Sequence, residues 1–293
     1  MWFNSIVSNS VVASSTRRCH ILHSPIMKRR DFLKLPAAAG AFAVMPQFIA
    51  RAAEASASSA REFYELRLYH LRRGPMQKRF DEFYREAAIP AMNRAGLSPI
   101  GVFTVATGPD SPTIYALIPH KSIESFVTAN DRVDSDRDYI KAGAEFLNAP
   151  ATDPSYLRVE SSLMLAFESI PKLEVPTATA VKKPRLFELR TYESHSKQAN
   201  QKKIEMFNRS EIAIFRRTGL APVFFGETLT GSKLPNLTYM LVFDSMADHD
   251  KNWSIFAADP EWKKLSSTPG YTDPEIVSNI SNIFLRPTAY SQI

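Results

Sequence analysis

Two five-residue stretches hold the side chains best suited to chemistry. Glu65-Leu66-Arg67-Leu68-Tyr69 and Glu188-Leu189-Arg190-Thr191-Tyr192 each space a carboxylate, a guanidinium and a phenol two residues apart. In a β-strand all three then share one face. Such a set can grip a polar head group. It can also turn over a substrate, with Glu65 or Glu188 as base, Arg67 or Arg190 stabilising developing negative charge, and Tyr69 or Tyr192 orienting the reacting molecule. The same Glu-Arg pair equally fits a register-fixing staple that needs no substrate. Tyr115 and Tyr239, further along the chain, are expected to join Arg67, Tyr69, Arg190 and Tyr192 as ligand contacts.

Other chemistries find less support. His70, His120, His195 and His249 offer no two residues spaced to place two ligands on one helix face or strand, so no metal site is expected. A haem would need an axial ligand, for which His70 and His195 are the candidates, but no cofactor is expected. The chain has no G-x-S-x-G elbow, no phosphate-cradling G-x-x-x-x-G-K, no G-x-G-x-x-G and no H-E-x-x-H.

The elements that must position these residues come from a repeat. At an offset of 123, Tyr64 to Tyr69 matches Phe187 to Tyr192, Arg94-Ala-Gly96-Leu97 matches Arg217-Thr-Gly219-Leu220, and Thr107-Gly108 matches Thr230-Gly231. Asp136 to Tyr139 falls opposite Asp259 to Trp262 in the same register. Residues 62–169 and 185–290 are therefore read as two domains. Residues 170–184, with three prolines and no apolar periodicity, are read as a semi-extended linker. Within each copy the patterns run strand, helix, strand, strand, helix, strand, with Gly96 closing the first helix. This is the ferredoxin-like βαββαβ unit, an α+β fold with its helices on one face of an antiparallel sheet.

Alternation in the first strand divides Tyr64, Leu66 and Leu68 from Glu65, Arg67 and Tyr69. The apolar row is expected to meet the helices, leaving the Glu-Arg-Tyr row on the open face. Two such open faces packed together, sheet to sheet, would enclose a cavity walled by both charged rows, Tyr115 and Tyr239. Charges in such a wall must pair, Glu65 with Arg67 and Glu188 with Arg190.

The formal charge of +6 does not signal nucleic acid, because residues 1–55 account for +5 of it. That positive front reads as an address. Met27-Lys28-Arg29-Arg30-Asp31-Phe32-Leu33-Lys34 leads into a short Ala-rich apolar stretch and then small residues. Residues 27–57 therefore resemble a cleaved twin-arginine export signal, and residues 1–26 an upstream extension ahead of Met27. Cys19, the single cysteine, lies ahead of every cleavage point, so disulfides and cysteine chemistry are excluded from the mature chain. Periplasmic or otherwise exported localisation is expected, with no stable membrane anchor after cleavage.

The Glu-Leu-Arg-x-Tyr strands at 65–69 and 188–192, together with Phe256-Ala-Ala-Asp259-Pro260-Glu261-Trp262, resemble the NIPSNAP family in two tandem copies over nearly all of residues 62–290. Copy one departs from it at Ser135 to Tyr139. The resemblance implies a dimeric α/β-barrel architecture, here formed as an intramolecular pseudo-dimer, and no assigned chemistry. The leading expectation is an exported protein that binds a small, partly apolar molecule in an inter-domain barrel cavity. Alternatives are a cofactor-independent monooxygenase or isomerase, and a structural or partner-binding module with a filled barrel. Small-molecule binding without nucleic acid is expected, and further self-association is left open.

Overall fold

The computed structural model describes residues 61–181 and 183–293. The expected signal at 27–57 and the extension before it lie outside the described residues. Each repeat starts with an alternating strand, β1 (Phe63–His70) and β5 (Leu186–Glu193). A helix follows in each copy, α1 (Pro75–Phe83) leading to α2 (Ile89–Arg94), and α8 (Lys197–Met206) leading to α9 (Ile212–Arg217). Both helices widen into a π-helical turn at matching places, Tyr84–Ala88 and Phe207–Glu211. Gly96 and Gly219 then take positive φ, 77° and 86°, a backbone that glycine adopts without strain and that lets the chain leave the helix.

The hairpins are β2 (Gly101–Val105) with β3 (Thr113–His120), and β6 (Ala221–Thr230) with β7 (Asn236–Phe243). Ser122 and Ser245 cap the helices that come next, accepting hydrogen bonds from the backbone N–H of Ser125 and Asp248. Copy one breaks this region into α3 (Ile123–Val127), α4 (Ala129–Asp134), α5 (Arg137–Ala142) and α6 (Ala144–Leu147). Copy two has one longer helix, α10 (Met246–Ala258), followed after Asp259 by α11 (Pro260–Ser266), and ends with α12 (Asp273–Ile276). The departure at Ser135 to Tyr139 keeps its main device. Asp136 caps α5 and pairs with Arg94 at 2.6 Å, as Asp259 caps α11 and pairs with Arg217 at 2.7 Å. Strands β4 (Arg158–Ala166) and β8 (Asn279–Pro287) complete the copies, and the linker between them includes one helical turn, α7 (Thr177–Ala180).

The eight strands close into one barrel in the order β1-β3-β2-β8-β5-β7-β6-β4. Each copy supplies a four-stranded antiparallel half, and the halves join where β2 pairs with β8 and β4 with β6. Two tandem ferredoxin-like domains thus form an α+β barrel, with the helices outside.

The barrel reverses the expected facing of the strands. Tyr64, Leu66 and Leu68 point inward with Phe103, Phe187, Leu189, Phe224 and Leu285, whereas Tyr69 packs outward among Phe80, Phe83 and Tyr84 of the helix layer. The physical reason is access to partners and water. A dry barrel centre has nothing to solvate a guanidinium, while the sheet–helix layer lets Arg67 reach both a carboxylate and the surface. One end of the barrel is packed solid by Tyr64, Phe103, Phe187, Phe224 and Ile293, with Tyr64 5.2 Å from Phe224 and Phe103 4.8 Å from Phe187 between ring centroids.

Candidate functional site

The Glu-Arg-Tyr rows form two related clusters on the helix side. In the first, Arg67 donates from Nε to Glu65 Oε1 at 2.6 Å and from Nη2 to Oε2 at 2.9 Å, a bidentate pair along one strand. Ser161, opposite Arg67 on β4, donates to Oε1 at 2.9 Å, and His120 Nε2 stands 3.6 Å from Oε2. Burial alone would raise the Glu65 carboxyl. The nearby His120 imidazole, hydrogen bonds from Arg67 and Ser161, and the Arg67 charge outweigh that and hold it down at about 2. Burial likewise opposes the charge of Arg67, but the surrounding phenols and Glu65 keep it firmly protonated.

In the second cluster Arg190 Nη1 donates to Glu188 Oε1 at 2.7 Å and its Nη2 to the Tyr192 hydroxyl at 3.2 Å. Asn282, opposite Arg190 on β8, takes the place of Ser161 and donates to Oε1 at 3.0 Å. Trp253 donates its indole N–H to Oε2 at 2.9 Å, and His249 Nε2 lies 3.3 Å away. Tyr239 donates to Tyr192 at 3.2 Å, and burial raises its phenol well above the ordinary range.

The two histidines occupy exchanged positions. His120 ends β3 and packs edge-on against Phe126 at 5.4 Å, whereas at the matching places copy two has Phe243 and His249, packed at 5.0 Å. Each buried glutamate thereby keeps one imidazole beside it. Sequence reasoning missed this pairing, although the offset of 123 sets His120 opposite Phe243 and Phe126 opposite His249. It also missed the buried Lys203, whose Nζ lies 3.2 Å from Glu211 and near the rings of Tyr192, Phe207 and Trp262. Copy one has Phe80 and Ala88 there.

The barrel does contain a cavity, but with other walls than expected. At the end opposite the packed one lies a space of about 400 Å³ lined by residues of both repeats. Its floor is Leu66, Leu68, Met164, Leu189 and Ile283; above them stand Tyr115, Ser162, Thr191, Thr228, Asn236 and Thr238. Of the six expected ligand contacts only Tyr115 reaches it. Tyr239 does not, because it sits opposite Arg190 in β7 and shares that residue's outward facing, while Tyr115 sits opposite Leu68. Tyr115 donates to Asp110 at 3.0 Å, and burial, with that carboxylate, raises its phenol. His70 also lines the cavity, with Nε2 2.8 Å from Glu160 and Nδ1 3.2 Å from the Thr113 hydroxyl.

Haem does not fit the residues named for it. Both His70 ring nitrogens face protein oxygens, and His195 is exposed on the surface. Among the described residues no group of three or more His, Cys, Asp or Glu could hold a metal ion.

The NIPSNAP family model matches residues 64–165 and again 187–292, one match for each half-barrel. The chain belongs to the NIPSNAP family. It is a tandem member, with both NIPSNAP domains in one barrel. A NIPSNAP-like domain protein from Burkholderia xenovorans is 21% identical over 36% of this chain and 88% of its own, with a TM-score of 0.33. A NIPSNAP-family protein of unknown function from Agrobacterium tumefaciens is 18% identical over 36% of this chain and 88% of its own, with a TM-score of 0.32. A Fusobacterium nucleatum protein provisionally assigned as a monooxygenase matches 78% of this chain and 93% of its own at 8% identity and a TM-score of 0.52. That likeness shows a shared fold across both NIPSNAP domains. Comparison with curated proteins gives no match.

Proposed function

We propose that this NIPSNAP protein is exported and binds a small, partly apolar molecule at the hollow end of its barrel. The carrying observation is the space of about 400 Å³, whose apolar floor and ring of hydroxyl and amide groups come from both repeats. That size and mixture are those of small-molecule sites, in which apolar contact supplies affinity and a few polar groups set orientation. The carboxylates that an oxygenase or isomerase reading would use as bases face elsewhere: Glu65 and Glu188 are each held by an arginine and a residue of a neighbouring strand, outside this space. Support for export is the Arg29-Arg30 pattern and its apolar, small-residue sequel.

Native mass spectrometry of protein recovered from the periplasm of an expressing host tests both parts. A mature chain carrying a defined increment that denaturation removes is the expected result. Leu189→Trp, which fills the floor of the cavity, should abolish the increment while the protein stays folded. Export should fail when Arg29 and Arg30 are both changed to Lys. An increment that survives Leu189→Trp would overturn the binding site, and undiminished export of the double Lys variant would overturn the route.

A further inference from the structure

The helix side of the first repeat contains a second, smaller space, and the second repeat shows what fills its counterpart. Trp253 of α10 lies flat enough on Arg190 to bring the guanidinium carbon 4.6 Å from the ring centroid. Its indole also donates to Glu188 and meets Phe215 and Phe256 edge-on at 5.6 and 5.5 Å. At the matching positions of the first repeat stand Asn130 for Trp253, Met92 for Phe215 and Val133 for Phe256. Three aromatic rings have become an amide and two aliphatic chains.

What is left there is a space of about 50 Å³, bounded by Arg67, Tyr69, Tyr84, Met92, Asn130 and Tyr139. Arg67 is turned differently from Arg190. Its Nε and Nη2 both serve Glu65, Nη2 also donates to Asn130 at 3.1 Å, and Nη1 has no protein acceptor among the described residues. A free N–H and a guanidinium face thus border the space, as Arg190 borders the Trp253 ring. Tyr84 begins the π-helical turn of the first repeat, a distortion that recurs where backbone is shaped around a site.

We infer that this space is a ligand site, open in the first repeat and plugged by Trp253 in the second, for a small planar aromatic molecule with an oxygen at its edge, the chemistry of a phenol. The ring takes the place that the indole holds in copy two, with its face against Arg67, a cation–π contact made in a largely desolvated setting. The edge oxygen accepts from Arg67 Nη1. About 50 Å³ is less than a six-membered ring occupies, so Asn130 must swing outward; it is exposed, and its bond to Arg67 is the tie that breaks. The site shares no residue with the hollow end of the barrel, so either can fail without the other.

Phenol is the probe, with cyclohexanol as its non-aromatic counterpart, followed by aromatic NMR signals and calorimetry on the mature full-length chain. Wild type should bind one phenol per chain, with the signals of Tyr69, Tyr84 and Tyr139 shifting, and cyclohexanol should bind roughly tenfold more weakly or worse. Asn130→Trp should install the plug of the second repeat, abolish phenol binding and leave thermal unfolding unchanged or higher. Trp253→Asn should raise the stoichiometry to two. Unchanged phenol binding by Asn130→Trp, or no saturable binding by wild type, overturns the site. Equal affinity for cyclohexanol overturns the ligand class. Should Trp253→Asn fail to fold, the Asn130→Trp comparison decides.

Discussion

At the scale of single residues, Glu65 is committed to holding Arg67, and this makes it a source of pH-dependent stability. Its carboxyl sits at about 2 in the folded chain against an ordinary value of 4.5. A depressed value means that the stabilisation is complete above pH 4.5 and is lost as pH falls from there through about 2. The difference corresponds to about 3 kcal/mol. Glu65→Gln should unfold more easily at neutral pH, by about 3–5 kcal/mol because the Arg67 charge loses its partner, and should lose most of the wild-type acid sensitivity between pH 4.5 and 2. Urea titrations of both proteins across that range check this; parallel acid limbs would refute it. The Glu-Arg spacing was legible in sequence, but its facing was not. Alternation separates two rows and does not say which row meets the helices, because a closed barrel buries both. The partners that make an outward carboxylate tolerable, Ser161 and Asn282, come from strands nearly a hundred residues away. The indole bond from Trp253 to Glu188 likewise depends on a contact between distant elements.

At the scale of elements, the repeat made the strands and helices easy to place. β5 falls at 186–193 as its alternation requires, and the helix stops follow from Gly96 and Gly219. The π-helical turns and the broken helices of copy one were not legible, since neither leaves a mark in apolar spacing that a regular helix would lack. Asp136 and Asp259 show how one device survives this divergence. Each accepts two backbone N–H bonds at a helix start and pairs with the arginine that ends an earlier helix, Arg94 or Arg217. Capping and pairing hold both carboxyls below their ordinary range. Asp259→Ala should lower the thermal midpoint more than Asp259→Asn, because asparagine still caps but no longer pairs. A midpoint of Asp259→Asn no higher than that of Asp259→Ala would show that the ion pair, not the cap, matters.

At the scale of the whole molecule, neither repeat can be finished alone. The first half-barrel would expose the edges of β2 and β4 together with the apolar row of Tyr64, Leu66 and Leu68. Residues 61–169 expressed alone should therefore associate in pairs, each copy replacing the missing second repeat, and sedimentation should give twice the fragment mass. A folded monomer would count against the two-faced burial described above. The joins between the halves are short, and that of β2 with β8 is the shortest pairing in the barrel. β1 and β3 match over eight residues, but β2 and β8 match over three, and β4 and β6 over four with a register shift. The barrel accordingly has two parting lines. Opening there breaks few backbone bonds and leaves each half intact, so amides along these lines should exchange with solvent ahead of those in β1 and β5. A cargo enclosed at the hollow end would then come and go through a seam that loosens on its own clock, with a residence time set by that breathing rather than by affinity alone.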